Sequence, residues 1–348
     1  MLASSTTPII CCASALELQN AITFYVKPGS TVLELGAELG DVSSSLCDAV
    51  GSSGTAWLID KIQSEKPSCR QVQDQKHQKF QSIHPNSKFQ EVDEWSVWKR
   101  AIPIDLPYDI VFLSVSATMG HDLYMTLLSF IDEIAMTLTH SVRAFVIKSR
   151  TLTQVARRLI HSQRLFDGTT TLLQTSLSRS TQPPWIAAVK VDEYRKTIPY
   201  IIQKDDAIIE LGCHFGRTAV RLEEAGRYCI GVDVGPSIIA NAQSQYPHIS
   251  FAVGDAWKAL QLLRLRKHLK QEDDLGYDVV YVDIGGLSGI DGHLEALSLL
   301  DALGYALEPR CIVIKSLCMR QLAGRLKVMA DVWDKYQRKG LNSVPQNS

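Results

Sequence analysis

The sequence predicts an α/β protein of two doubly wound domains in tandem, each a mostly parallel twisted sheet with helices on both faces. Three observations lead there. The chain has 348 residues, enough for about two domains. Its two halves carry the same landmarks in the same order. Each half alternates short Val/Ile-rich runs with stretches of three- and four-residue apolar spacing, the pattern of buried parallel strands separated by helices.

Residues 9–36 (IICCASALELQNAITFYVKPGSTVLELG) align without a gap on residues 185–212 (WIAAVKVDEYRKTIPYIIQKDDAIIELG). ELGAELG (34–40) then answers ELGCHFG (210–216). The strand ending at Asp60 answers the one ending at Asp233, and FQEVDEW (89–95) answers FAVGDAW (251–257). YDIVFLSV (108–115) pairs with YDVVYVDI (277–284), Gly120-His121 with Gly292-His293, and RAFVIKS (143–149) with RCIVIKS (310–316). A repeat of domain size reads as tandem duplication rather than a solenoid.

The expected division is a flexible N-terminus over 1–8, a first domain over 9–180, a second over 181–338 and a polar tail over 339–348. The Ser/Thr/Pro-rich stretch 165–185 bounds the halves. Within it, TTTLLQTSL is expected to add a late strand to the first sheet. The second half shows no equivalent after Ser316, only a helix and the tail. One option is that the N-terminal strand IICCA completes the other sheet. Pairing of the two domains within the chain is expected.

Composition narrows the function classes. Lys and Arg number 36, Asp and Glu 37, so the net charge of -1 provides no global field for nucleic acid. Eight cysteines are scattered without zinc-type spacing, so no metal is expected. Reduced thiols indicate a reducing compartment, cytoplasmic with nuclear or organellar alternatives. No apolar run reaches the roughly 18 residues that span a bilayer, so no membrane partner is expected. The N-terminal segment lacks a basic n-region; its Ser/Thr-rich, acid-poor character keeps an organellar transit segment open.

In an open parallel sheet, ligands bind beyond the carboxyl ends of the strands. There the first strand of each half ends in E-L-G-x-x-x-G. Gly212 and Gly216 let the backbone turn and approach a ligand. Asp233, at the end of the next strand, is spaced to accept both hydroxyls of a ribose. Asp255, with the backbone of Ala256, suits an adenine edge. The pattern lacks the middle glycine of G-x-G-x-x-G, and Glu210 favours a cation over a pyrophosphate.

At these residues both halves, over about 15–165 and 190–325, resemble the class I S-adenosylmethionine-dependent methyltransferases, a Rossmann-like family. The resemblance implies S-adenosyl-L-methionine as cofactor. It implies Glu210, Gly212, Cys213, Gly216, Asp233, Asp255 and Ala256 as its site in the second half. In the first half it implies Glu34, Gly36, Gly40, Asp60 and Asp93.

The chemistry would be set after the fourth strand. The N/D-P-P-Y/F loop of amine methylation and the Pro-Cys of cytosine methylation are both absent. Asp283 and Lys315 close neighbouring strands, and Lys190 lies upstream. This partly resembles the Lys-Asp-Lys-Glu set of FtsJ- and fibrillarin-type RNA ribose 2′-O-methyltransferases, without a match for the final Glu. Oxygen is therefore the favoured acceptor atom, the acceptor itself is unidentified, and RNA is one possibility. In the first half Asp283 is matched by Ser114, Lys190 by Ser14 and Lys315 by Lys148, so that half reads as degenerate.

Simpler roles stand beside these. Lys148 and Lys315 can be solvated strand ends, and His121 and His293 can cap helix starts. Trp95 and Trp257 can pack in the core or stack on adenine. RLRKHLK (264–270) can be a solvated helix face. With Arg310, Lys315, Arg320 and Arg325 it can also form a phosphate-binding patch. A non-catalytic cofactor-binding scaffold is the alternative of another class; a nicotinamide oxidoreductase is disfavoured by the glycine pattern.

Overall fold

The computed structural model describes residues 7–37, 39–61, 67–92, 103–114, 123–168, 179–267, 276–287 and 292–341. Its first seven strands are β1 (Ile9–Cys12), β2 (Thr31–Leu35), β3 (Thr55–Lys61), β4 (Ser87–Val92), β5 (Ile110–Ser114), β6 (Ala144–Lys148) and β7 (Leu159–His161). The other seven are β8 (Trp185–Ala188), β9 (Ala207–Leu211), β10 (Tyr228–Asp233), β11 (Ser250–Val253), β12 (Val279–Val282), β13 (Cys311–Lys315) and β14 (Leu326–Val328).

They form two seven-stranded sheets with one topology. The first runs β14-β1-β6-β5-β2-β3-β4 and the second β7-β8-β13-β12-β9-β10-β11. The described pairings are parallel, as at β2–β3, β9–β12 and β12–β13. Every residue of β9 and β12 is buried, as continuous apolar runs require when helices cover both faces.

The order of the strands along the chain is the unexpected feature. The terminal strand of each half pairs with the first strand of the other half. Leu326 and Val328 of β14 sit opposite Ile9 and Cys11 of β1, while Leu159 and His161 of β7 sit opposite Trp185 and Ala187 of β8. One compact unit is therefore Arg157–Gly324. The other joins the described residues up to Ala156 with those from Arg325 onward. The boundary at 180/181 divides the chain by internal similarity; the compact units divide it by which strands pair.

Two expectations are corrected here. IICCA does not complete the other sheet: β1 pairs with β6 of its own half, Ile9 opposite Phe145. And the second half does have a strand after Ser316. It is only three residues long and lies between helices Leu317–Arg325 and Met329–Leu341. Leu326 and Val328 are buried while Lys327 is half-buried, an alternation too short to stand out from helical spacing. TTTLLQTSL lies outside the described residues.

Among the described residues, no helix is long and apolar enough to cross a membrane, and no cluster of His, Cys, Asp and Glu could hold a metal. The seven described cysteines are free and buried.

Candidate functional site

The carboxyl ends of β9, β10, β12 and β13 open on a cavity of about 830 Å³. It is lined by Glu210, Gly212 and Cys213 at the β9 turn, Asp233 on β10, and Asp255 and Ala256 after β11. Asp283 and Lys315 line it from the ends of β12 and β13. The strand order thus gathers residues spread over a hundred positions of sequence.

Gly212 makes the turn that opens the site. Its φ is +80°, and a Cβ there would lie 2.1 Å from the carbonyl oxygen of Asp283. Without a side chain, the N–H groups of Gly212 and Cys213 reach the Val232 carbonyl at 2.8 and 3.1 Å. Gly216 does not line the cavity. It ends the loop at φ +78°, where a Cβ would strike the Phe251 ring at 2.4 Å, and starts the helix Arg217–Ala225.

The acids differ in setting. Asp233 accepts N–H bonds from His214 and Gly235, both at 3.1 Å, which fixes its carboxylate at the rim. Asp255 accepts the Trp257 N–H at 3.0 Å. Glu210 is 2% exposed, and its Oε2 has no hydrogen-bond partner. Burial, and then the nearby Asp283 charge, push its carboxyl well above the usual range. The Arg195 guanidinium, the Thr218 hydroxyl and the Ala219 N–H oppose that shift. Asp283 forms an ion pair with Lys315, so this lysine is not a solvated strand end.

Lys190 stays outside the lining. It occupies the N-cap of the helix Val191–Lys196, where the first half has Ser14. That helix sends Val191 and Arg195 into the cavity, and Arg195 Nε donates to Thr218 Oγ1 at 3.0 Å. Neither Arg195 nor Thr218 was among the sequence candidates. Their only signal is position: Arg195 lies one helical turn beyond Val191, and Thr218 follows the loop glycine by two residues. His214 and Trp257 also line the cavity, and Trp257 is 50% exposed rather than packed in the core. His293 opens the helix His293–Leu307.

The first unit keeps the turn with different surroundings. Gly36 has φ +81°, and the N–H groups of Gly36 and Ala37 donate to Ile59 O at 2.9 and 3.0 Å. Glu34 is buried, and its Oε2 accepts the Ser43 hydroxyl at 2.7 Å. Gly40 caps the helix Asp41–Val50, and Asp60, one residue before the end of β3, is buried. Ser114 lies beside Lys148 in register, where the second unit has its Asp–Lys pair. Asp93, Trp95 and His121 lie outside the described residues.

Among the described residues the basic patch does not assemble. Arg310 is buried on both carboxylate oxygens of Asp206, Lys315 is paired with Asp283, Arg320 is paired with Glu193 at 3.1 Å, and Arg325 Nε donates to the Thr7 carbonyl at 3.1 Å. Buried or paired cations are poorly placed to meet phosphates. Of the run 264–270, Arg264 is exposed; the side chains from Arg266 onward lie outside the described residues.

No family model and no curated protein matches the chain. Among solved structures it is similar to an S-adenosylmethionine-dependent methyltransferase from Mesorhizobium loti (24% identity, 30% of this chain and 44% of that one, TM-score 0.22). It is similar to a TehB-like SAM-dependent methyltransferase from Corynebacterium glutamicum (19% identity, 51% and 82%, TM-score 0.26). A third is phosphoethanolamine N-methyltransferase 1 of Haemonchus contortus, in complex with phosphoethanolamine and S-adenosylhomocysteine (9% identity, 86% and 78%, TM-score 0.27). The chain spans less than half the length of the first of these.

Proposed function

We propose that the chain is an S-adenosylmethionine-dependent methyltransferase whose working site is the cavity of the Arg157–Gly324 unit. The observation that carries this reading is the unpartnered, buried carboxyl oxygen of Glu210 at a cavity rimmed by Asp233 and Asp255. A buried polar atom without a partner is costly and asks for a donor from the ligand. The α-ammonium of S-adenosylmethionine is such a donor. Asp233 would take the ribose hydroxyls, and Asp255 with the Ala256 backbone the adenine edge. The cavity volume lies within the range of small-molecule sites.

When bound, the cofactor supplies a methyl group already activated on a sulfonium. The protein's task is then to align an acceptor and remove its proton. Asp283 would accept a proton from an acceptor hydroxyl. Lys315, held by Asp283, sets positive charge beside the oxygen as it loses that proton. This favours oxygen as the acceptor atom. Lys190, off the cavity, has no such role. The paired state of Arg310 and Arg320 weakens the case for RNA as acceptor. The first unit, with Glu34 satisfied by Ser43 and Ser114 in place of the aspartate, reads as a degenerate copy that does not transfer methyl groups.

The test is thermal unfolding of the intact chain with S-adenosylhomocysteine. A ligand at 100 times its Kd stabilises by about 2.7 kcal/mol, a readable rise in the transition of the binding unit. The reading requires that rise in the wild type and its loss in Glu210→Gln. An unshifted wild-type transition at millimolar ligand would leave the non-catalytic scaffold as the better account.

A further inference from the structure

We propose that Tyr194 is a positioning residue of this site, whose phenol donates to the Glu210 carboxylate when a cationic ligand is bound and so sets how tightly the cation is held. The inference rests on the methyltransferase reading above and adds a residue to it.

Tyr194 belongs to the helix that sends Val191 and Arg195 into the cavity, yet it is fully buried beneath it. Its ring meets that of Tyr281 edge-on, with centroids 5.1 Å apart. Tyr281 is the register partner of Glu210, so the three side chains share one face of the sheet. The Tyr194 hydroxyl has no hydrogen-bond partner, and neither does Glu210 Oε2. After burial, the charges of Glu210 and then Asp283 act most strongly in holding the proton on the phenol. Two unpartnered buried polar atoms on one face of the sheet mark a place completed by a change of charge state. A neutral Glu210 offers the phenol a weaker acceptor; an ionised Glu210 offers a charge-assisted one.

The first unit shows that the fold does not require this arrangement. Where the second unit has Tyr194, Thr197, Tyr281 and Asp283, the first has Leu18, Ala21, Phe112 and Ser114. Leu18, Ala21 and Phe112 are buried apolar residues, and Glu34 there is served by Ser43. A buried hydroxyl without a partner destabilises a core, and the first unit fills this position with Leu18, so the phenol kept beside the Asp283–Lys315 pair points to ligand binding.

The other groups facing Glu210 are already engaged or carry no hydroxyl. Tyr281 shares a hydrogen bond with Thr197 at 2.9 Å. Thr218 accepts from Arg195, and Asp283 is paired with Lys315. From β10, Cys229 presents a buried thiol whose proton burial holds in place. Tyr194 is thus the unengaged hydroxyl on this face among the described residues.

The experiment is calorimetric titration of the intact chain, wild type and Tyr194→Phe, between pH 6 and 9. S-adenosylhomocysteine, which carries the α-ammonium, is compared with 5′-methylthioadenosine, which lacks the amino-acid end. In Tyr194→Phe the Kd for S-adenosylhomocysteine rises about tenfold or more. The Kd for methylthioadenosine stays within about twofold, and the pH needed for full S-adenosylhomocysteine affinity moves upward. Equal weakening of both ligands would mean that the ring only packs, and an unchanged Kd for S-adenosylhomocysteine would mean that the phenol is idle; either overturns the proposal. A wild type that binds neither ligand would instead remove the methyltransferase reading itself, and this inference with it.

Discussion

Replacing Glu210 by Gln should make the Arg157–Gly324 unit more stable at neutral pH while abolishing recognition of the cationic ligand. In the ligand-free protein the carboxyl of Glu210 is held well above its ordinary range, first by burial and then by Asp283. The unfolded chain releases that proton near pH 4.3. Between those two values the folded state binds one more proton than the unfolded state. Stability contributed by this group is therefore complete below about pH 4.3 and is lost as pH rises toward the folded value. The slope is about 1.4 kcal/mol per pH unit, so pH 5 to pH 7 removes up to about 2.7 kcal/mol. Glutamine has nearly the same shape and no titration, so its stability curve lacks that slope. The assay is hydrogen exchange in graded urea, read on peptides from β9 and β12 without ligand, at pH 5, 6 and 7. A widening advantage for Glu210→Gln as pH rises is expected. Parallel curves for the two proteins would refute the claim that Glu210 is held protonated.

Three further outcomes follow from the geometry. Gly212→Ala forces a side chain into left-handed backbone and against the Asp283 carbonyl, which should cost about 2–5 kcal/mol and weaken S-adenosylhomocysteine binding in titration. Arg310→Met strands the buried Asp206 carboxylate, at about 3–5 kcal/mol, lowering the urea midpoint of the Arg157–Gly324 unit while the β1–β6 sheet keeps its own. Val328→Asp buries a charge in β14, yet the damage should appear in the other half of the sequence. Hydrogen exchange should accelerate in peptides from β1 and β6 and stay unchanged in β9 and β12. The reverse pattern would contradict the strand exchange.

What the sequence disclosed, and what it did not, follows from the range of the interactions. The turn at Gly212 and the acids Asp233 and Asp255 were legible because each is fixed by its own strand end. Asp283 and Lys315 were legible as neighbours because the fold puts their strands side by side. The exchange of β7 and β14 was not, since a three-residue strand between two helices leaves almost no periodic signal and its partner is far away in the chain. Arg310 and Arg320 looked like surface cations because nothing local reveals Asp206 or Glu193 as partners. Arg195 and Tyr194 sit in a six-residue helix, too short for its buried and cavity sides to be told apart from sequence. Lys190 drew notice for its residue type, but helix geometry puts it at the N-cap.

The most direct test of the central claim is the stoichiometry of S-adenosylhomocysteine binding to the intact chain, measured by calorimetry with Asp233→Ala and Asp60→Ala alongside. One site per chain is expected, lost in Asp233→Ala and retained in Asp60→Ala. Binding that survives Asp233→Ala but vanishes in Asp60→Ala would move the working site to the first unit and contradict the account.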